Sequence, residues 1–314
     1  MPVRPRGVLA ALAVPALVAT ALTASPPAQA AAEQYVALGD SYSSGVGTRS
    51  YLDDGTSCKR SPAAYPSLIA AQNGWSLDLR ACSGATIPDV EGQLAALTAS
   101  TTKVTVSVGG NDAGFADVLT ECAQPGWMSD CDEAVDGAQA FISGTLPGRL
   151  AGLYSDIGAG APSADVVVVG YPRVFMGEDC NAATFFSPEE EARLNATADQ
   201  LNGVLASAAS NAGFAFANPT NAFIGHAVCD DPEWINGLSN PIDESYHPNT
   251  AGHSSGYAPL VGSLLGGART APTAADAATA RADADEQVDK QREWRAFDRT
   301  IEPTTFRLVA PAAR

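Results

Sequence analysis

The chain has 314 residues, of which 46% are hydrophobic and 17% charged, and its formal net charge is -17. This composition excludes a disordered acidic polymer, a coiled coil, a collagen-like chain and a cysteine-dense miniprotein scaffold. So acidic a chain is repelled by nucleic acid and by anionic membrane surfaces, which argues against a function that tracks phosphate groups.

The first thirty residues predict a secretory signal peptide. Arg4 and Arg6 precede an apolar run over residues 8–22, and residues 28–30 form the small-x-small pattern that signal peptidase cleaves. The run is shorter than the roughly 18 to 20 apolar residues that cross a bilayer, and no later run is long enough. We therefore expect cleavage after Ala30 and a mature chain that is secreted, extracellular and without a membrane anchor.

Residues 31–267 alternate apolar, strand-like runs with longer helical patterns, which predicts a single domain of alternating strands and helices. Its strand candidates are Tyr35 to Leu38, Leu77 to Ala81, Val104 to Val108, Val166 to Val169 and Phe214 to Ala217. Its helix candidates are Tyr65 to Gln72, Ala113 to Thr120, Asp132 to Tyr154, Pro188 to Asn211 and Pro248 to Leu265. We expect an α/β fold, a three-layer α/β/α sandwich with a five-stranded parallel, flavodoxin-like sheet.

A C-terminal tail, residues 268–314, differs in composition from the domain. It carries eight basic and eight acidic residues and is therefore neutral, so the domain carries the negative charge of the chain. Residues 269–285 predict a linker, and residues 286–300 a helix with a thin apolar stripe of Val288, Trp294 and Phe297. We expect this tail to be solvated or loosely docked.

Six cysteines in an exported chain predict three disulfides. They are Cys58, Cys82, Cys122, Cys131, Cys180 and Cys229. Spacing alone allows 15 connectivities, and sequential pairing, which closes the shortest loops, is the one we favour. A zinc site is not expected, because the sequence has no C-x-x-C pair and only three histidines.

Polar residues follow three of the predicted strands. Residues 39–45 read Gly-Asp-Ser-Tyr-Ser-Ser-Gly, residues 81–86 Ala-Cys-Ser-Gly-Ala-Thr, and residues 109–112 Gly-Gly-Asn-Asp. In open parallel sheets, ligands bind outside the carboxyl ends of the strands, so these three segments predict one site. A fourth segment, residues 243–249, places His247 after a cluster of acids at a predicted helix start, an arrangement typical of a general base.

Taken together, the four segments resemble the SGNH, or GDSL-type, hydrolases. The motifs stand in the family's order over about residues 35 to 267, and the six cysteines with the signal peptide are similar to the secreted bacterial lipase and phospholipase branch. The resemblance implies that Ser41 is the nucleophile and His247 its base. It also implies an oxyanion hole made of the backbone N–H groups of Ser41 and Gly84 and the side-chain amide of Asn111.

The third member of the triad departs from the family pattern. The family's usual Asp, three residues before the histidine, is replaced here by Glu244. We expect Glu244 to orient His247, with the backbone carbonyl of Ser245 and the carboxylate of Asp243 as alternatives.

The expected activity is hydrolysis of carboxylic acyl esters, mainly of lipids, by a lipase, phospholipase A or carboxylesterase. One alternative is a carbohydrate esterase that deacetylates polysaccharides, and another is an inactive secreted binding module. The paired carboxylates of a glycosidase are the weaker interpretation of Asp40 and Asp112, which we expect to support the loops. No metal or other cofactor, no nucleic acid and no stable membrane anchor is expected, and the chain is expected to be a monomer.

Overall fold

The structure, a computed structural model, describes Met1 and residues 32–181, 183–266 and 289–301. Apart from Met1, the predicted signal peptide with its cleavage point after Ala30 lies outside the described residues, as does the predicted linker. None of the helices in the described ranges is both long and apolar enough to cross a membrane.

A five-stranded parallel sheet forms the centre of the domain. The strands are β1 (Gln34–Gly39), β2 (Ser76–Leu79), β3 (Lys103–Ser107), β4 (Asp165–Val169) and β5 (Ala215–Ala217). Their order across the sheet is β2-β1-β3-β4-β5, with every neighbouring pair parallel. This is the flavodoxin-like order, and all five predicted strands are confirmed to within a few residues.

Eight helices accompany the sheet in the domain. They are α1 (Ser41–Ser44), α2 (Tyr65–Asn73), α3 (Ile87–Gln93), α4 (Phe115–Cys122), α5 (Cys131–Gly144), α6 (Leu146–Gly160), α7 (Pro188–Ala212) and α8 (Ala258–Leu264). Helices α2 and α8 pack against each other and against strands of the sheet, while α3, α6 and α7 form a second group that also contacts the sheet. The predicted α/β/α sandwich is confirmed.

The two middle strands are buried because helices cover both sides of the sheet. In β4, all four consecutive valines are at most 6% exposed, and every residue of β3 is buried. Burying a valine side chain contributes about 1.5–3 kcal/mol, so this apolar run fixes the strand at the centre of the fold. A near-continuous apolar strand is the pattern expected for a parallel sheet.

The helix predictions need three corrections. The single helix predicted over residues 132–154 is wrong: it is two helices, α5 and α6, because Pro147 lies at the first turn of α6 and a proline cannot continue a helix interior. Helix α3, which the sequence analysis does not predict, begins with a capping box between Thr86 and Asp89. The last helical segment begins at residue 250 rather than Pro248, with a π-helical stretch, Gly252–Tyr257, before α8.

Helix α7 begins as predicted. The Ser187 hydroxyl accepts a hydrogen bond from the Glu190 backbone N–H at 3.2 Å, and the Glu190 carboxylate accepts one from the Ser187 backbone N–H at 2.7 Å. This reciprocal capping satisfies two N–H groups that a helix start leaves without a partner.

Three disulfides connect loops and helix ends. They join Cys58 to Cys82, Cys122 to Cys131 and Cys180 to Cys229, which is the sequential pairing favoured from the sequence.

In the tail, residues 289–298 are helical and contact the domain through polar side chains. Arg49 and Asp298 form a buried ion pair at 2.6 Å, and the Arg295 guanidinium donates to the backbone oxygens of Asp230 and Cys229. Of the predicted apolar stripe, Trp294 and Phe297 remain 44% and 50% exposed, and the Arg49 guanidinium lies over the Trp294 ring, 4.7 Å from its centroid. Val288 lies outside the described residues.

Candidate active site

Ser41 is the first residue after the turn that ends β1. The turn is fixed by Asp40, whose carboxylate accepts hydrogen bonds from the Tyr42 backbone N–H at 3.0 Å, the Ser107 hydroxyl at 2.6 Å and the Tyr171 hydroxyl at 2.5 Å. Gly39 has a φ of 127°, and a Cβ there would lie 2.5 Å from the Ser107 backbone oxygen. Glycine is therefore required where β1 turns towards Ser41.

Two further predicted residues follow the neighbouring strands. Gly84 comes after β2 with a φ of +76°, a left-handed conformation that favours glycine. Asn111 comes after β3, and its side-chain amide donates one hydrogen bond to the Ala85 carbonyl at 2.9 Å, which leaves its second N–H available. Ser41, Gly84, Asn111 and His247 all line one cavity, so the structure brings the predicted residues together.

His247 connects Ser41 to a backbone carbonyl. Its Nε2 lies 2.8 Å from the Ser41 Oγ, and its Nδ1 lies 2.9 Å from the Ser245 carbonyl oxygen. A carbonyl can only accept, so Nδ1 carries the proton and donates to Ser245. The neutral imidazole then leaves Nε2 as an acceptor, towards which the Ser41 hydroxyl donates.

The loop that carries His247 is held by backbone pairing. The Asn236 backbone N–H donates to the His247 carbonyl at 2.9 Å, and the Tyr246 N–H donates to the Asn236 carbonyl at 2.9 Å. The Tyr42 hydroxyl donates to the Tyr246 carbonyl at 2.8 Å, which joins this loop to the segment that carries Ser41. The two reacting side chains are therefore fixed relative to each other although 206 positions separate them.

The prediction that Glu244 orients His247 is wrong in this structure. No hydrogen bond of the described residues joins the Glu244 carboxylate to the His247 ring. The carboxylate instead accepts from the Tyr51 hydroxyl at 2.6 Å and from the Gly47 backbone N–H at 2.9 Å, and it lies 3.7 Å from the Lys59 ammonium. The orienting contact is the Ser245 carbonyl, the first of the two alternatives.

Burial controls the protonation of the candidate base. Loss of solvent around the imidazole lowers the pKa of His247 from 6.5 to about 4, while the Ser245 carbonyl and the negative charge of Asp243 oppose that shift. The ring is therefore neutral at physiological pH and can accept a proton. Removal of a proton from the serine then requires the resulting imidazolium to be stabilised, which the Ser245 carbonyl does through Nδ1.

An apolar cavity of about 340 Å³ opens beside Ser41. Its wall consists mainly of aliphatic and aromatic side chains from α4, α5 and α7, among them Val118, Leu119, Ala138, Ile142, Ala198 and Leu201. Phe115, Ala123, Thr184 and Ile242 also line it. The cavity is suited to a hydrocarbon chain whose carbonyl end lies at Ser41.

Asp40 and Asp112 support loops, as predicted. Burial raises the pKa of Asp40 to about 6, against the lowering effect of the hydrogen bonds from Ser107 and Tyr171. Asp112 accepts from the Ile87 backbone N–H at 3.0 Å and so fixes the start of α3. Sequence reasoning missed Tyr171, although it follows β4 at the same edge of the sheet, and the strand-end rule applied to a fourth strand would have found it.

The other two histidines make structural contacts. The His226 ring stacks on Trp234 with a centroid distance of 3.7 Å, and His253 is fully buried with Nδ1 accepting from the Tyr65 N–H at 3.2 Å. Across the described ranges, no group of three or more histidine, cysteine or acidic side chains is arranged to hold a metal ion.

The sequence matches known lipases over most of its length. A profile of the GDSL-like Lipase/Acylhydrolase family matches residues 37–254. The chain is 46% identical to Lipase 1 of Streptomyces coelicolor over 254 residues, which cover 80% of this chain and 93% of that protein. It is 44% identical to a lipase of Streptomyces rimosus over 260 residues, which cover 81% and 95% of the two chains.

Solved structures agree with this match. The crystal structure of phospholipase A1 from Streptomyces albidoflavus is 45% identical with a TM-score of 0.71, and the similarity covers 74% of this chain and all of that one. The extracellular lipase of Streptomyces rimosus is 42% identical with a TM-score of 0.70 and the same coverage. This chain therefore belongs to the GDSL-like lipase/acylhydrolase family of carboxylic ester hydrolases.

Proposed function

We propose that the protein hydrolyses acyl esters of lipids through a covalent acyl-enzyme on Ser41. The observation that carries the proposal is the chain of contacts from Ser41 Oγ to His247 Nε2, at 2.8 Å, and from His247 Nδ1 to the Ser245 carbonyl, at 2.9 Å, beside an apolar cavity. A serine hydroxyl becomes an effective nucleophile when a positioned base accepts its proton.

In the first half of the reaction, Ser41 Oγ attacks the ester carbonyl carbon while its proton passes to His247 Nε2. The tetrahedral intermediate collapses when the bond to the leaving alcohol breaks, and Nε2 returns the proton to the alcohol oxygen. In the second half, a water molecule attacks the acyl carbon and gives one proton to Nε2, which then passes it to Ser41 Oγ as the acid leaves.

The developing negative charge on the carbonyl oxygen needs hydrogen-bond donors that do not ionise. We assign this role to the backbone N–H groups of Ser41 and Gly84 and to the free N–H of the Asn111 amide. These groups follow the carboxyl ends of β1, β2 and β3, so the sheet holds them in place before substrate binds, and no reorganisation is required during the reaction.

The lipid assignment depends on the cavity. Its apolar wall can remove an acyl chain from water, and each buried methylene contributes about 0.8 kcal/mol. A polysaccharide would offer hydroxyl groups that the aliphatic wall cannot satisfy, which disfavours the carbohydrate esterase alternative. Two relatives are a lipase and a phospholipase A1, which supports acyl lipids as the substrate class.

Replacing Ser41 with Ala tests the proposal directly. We expect turnover of a short chromogenic acyl ester to fall by about 10⁴-fold or more. Ser263→Ala, a control on the exposed face of α8, should retain full activity. Full activity of the Ser41→Ala variant would refute the assignment. A panel of long-chain triglyceride, phosphatidylcholine and short esters then measures the head-group and chain-length preference.

We also propose that the chain is exported and acts as a monomer. The predicted signal peptide and the three disulfides support export, because disulfides persist in oxidising compartments. Mass spectrometry of the protein in culture medium should give a chain that begins at residue 31, and light scattering should give the mass of one chain.

A further inference from the structure

Five large apolar side chains are exposed on the segments that form the cavity. Met176 is 49% exposed, and the other four are Trp127, Met128, Phe185 and Ile242, with exposed fractions of 84%, 53%, 49% and 49%. We call these four residues the apolar rim. Other large apolar side chains, such as Leu52 and Ile224, are exposed elsewhere on the described surface, so exposure alone does not distinguish the rim. What distinguishes it is its place beside a binding cavity, where exposed apolar surface marks an interaction site.

The rim residues are connected to the cavity wall by sequence and by hydrogen bonding. Ile242 lines the cavity itself, and Phe185 directly follows Thr184, which also lines it. The Phe185 backbone N–H donates to the Ala123 carbonyl at 3.2 Å, and Ala123 is a further wall residue. The loop with Trp127 begins at Ala123, so all three rim segments meet at this cavity.

A disulfide holds the most exposed part of the rim. Cys122 and Cys131, with Cα atoms 4.5 Å apart, close the loop that carries Trp127 and Met128. The Glu121 carboxylate accepts from the Asp130 backbone N–H at 2.8 Å and stabilises the same closure. The loop therefore projects two large apolar side chains at a reduced cost in conformational entropy.

The charges around the rim indicate which kind of lipid surface it can approach. The segments 121–131, 176–187 and 238–246 contain no lysine or arginine, and they contain six acids: Glu121, Asp130, Glu178, Asp179, Asp243 and Glu244. Three basic side chains reach this region from other segments, and each is paired with an acid: Lys59 with Asp243, Arg49 with Asp298 and Arg295 with Glu233. An anionic lipid surface would therefore be repelled, whereas a surface without net charge would not.

We propose that the apolar rim docks the enzyme on a zwitterionic phospholipid surface and thereby presents the cavity entrance to the acyl chains. This proposal rests on the proposed lipid esterase function. Trp127 supplies an indole, the side chain that most favours the boundary between head groups and acyl chains, and Met128, Phe185 and Ile242 add apolar area around it. Occupancy of the surface and hydrolysis are separate steps, so they can be measured separately.

The test uses the full chain carrying Ser41→Ala, so that vesicles are not hydrolysed. Binding is measured by flotation with vesicles of phosphatidylcholine and, separately, of phosphatidylglycerol. Trp127→Ala combined with Phe185→Ala should lower partitioning to phosphatidylcholine at least about tenfold, because both side chains would leave water on docking. The matched control is Ile224→Ala, which removes an equally exposed apolar side chain, 59% exposed, outside the rim segments.

Four outcomes would overturn the proposal: no binding of the parent to phosphatidylcholine, stronger binding to phosphatidylglycerol, no effect of the double variant, or an equal loss in the control. Neither Trp127 nor Phe185 lines the cavity, so the double variant with Ser41 intact should hydrolyse a water-soluble short ester at the parent rate, which also verifies folding. If Ser41→Ala leaves ester hydrolysis intact, the proposed function fails, whereas the binding result is judged on its own.

Discussion

The contacts of Glu244 make a specific prediction about which group orients His247, the proposed catalytic base. Glu244 is 2% exposed, and its carboxylate contacts Tyr51 and Gly47 while the His247 ring is held by the Ser245 carbonyl. Glu244→Gln keeps the shape of the side chain and one acceptor oxygen. Because it leaves the Nδ1 contact of His247 in place, we expect kcat to fall by less than about tenfold, whereas loss of an orienting carboxylate costs roughly 10⁴-fold.

Glu244→Ala should instead lower the free energy of unfolding. It leaves the Tyr51 hydroxyl without its acceptor and the Gly47 N–H with only its longer contact to the Tyr51 oxygen, at 3.3 Å. A buried group that loses its partner costs about 1–3 kcal/mol. We therefore expect a loss of about 1–3 kcal/mol in the free energy of unfolding, from the Tyr51 hydroxyl. Urea denaturation followed by intrinsic fluorescence measures this loss, and hydrolysis of a short chromogenic ester measures kcat.

The matched control for charge is Asp243→Asn, which removes an acid at the neighbouring, half-exposed position. If Glu244→Gln lowered kcat by about 10³-fold or more while its unfolding curve matched that of the parent, Glu244 would be the orienting acid and the role assigned to the Ser245 carbonyl would be refuted.

Three further predictions concern the base, the oxyanion donor and a buried acid. Because burial lowers the pKa of His247 to about 4, kcat/KM for a short ester should stay near its maximum down to about pH 5 and be halved near pH 4; a midpoint near 6.5 would contradict this. Asn111→Ala should lower kcat about 100- to 1,000-fold with little change in KM, and a loss below about tenfold would exclude the amide from the oxyanion hole. Burial raises the pKa of Glu191 from 4.5 to about 7, so the folded state binds the proton of this carboxyl more tightly than the unfolded chain does. The contribution of the protonated carboxyl to the free energy of unfolding is therefore complete below pH 4.5 and is lost as the pH rises to 7. The free energy of unfolding of the parent should therefore fall between pH 5 and pH 8, and in Glu191→Gln this fall should be smaller by on the order of 2 kcal/mol. Denaturation curves that show the same fall in both proteins would refute this role of Glu191.

Much of the fold was predictable because the signal is local. Four consecutive valines favour a strand buried on both faces because valine is β-branched, and Ser187 with Glu190 encodes a helix start within four residues. The break between α5 and α6 is also encoded locally, by Pro147, but the long apolar pattern around this proline predicts one continuous helix. Helix α3 was missed because its seven residues carry too few apolar positions to show a helical period.

In the candidate site, the strand-end segments predicted one common site, and the resemblance to the SGNH hydrolases selected Ser41, Gly84, Asn111 and His247 within it. Parallel strands place their carboxyl ends at one edge, so segments far apart in sequence must converge there once the strands are recognised. The sequence by itself thus determined the chemical identity of the proposed nucleophile, base and oxyanion donors.

Only the tertiary structure decided which group holds His247. Three candidate acceptors lay within four residues of the ring, and the choice between them depends on the direction of the backbone over two residues and on competing partners elsewhere. Tyr51 and Gly47, 193 and 197 positions away from Glu244, bind its carboxylate, and that long-range contact leaves the Ser245 carbonyl to accept from Nδ1. A hydrogen bond is assigned by the distance and angle between donor and acceptor, and for residues so far apart in sequence these are set only when the chain has folded.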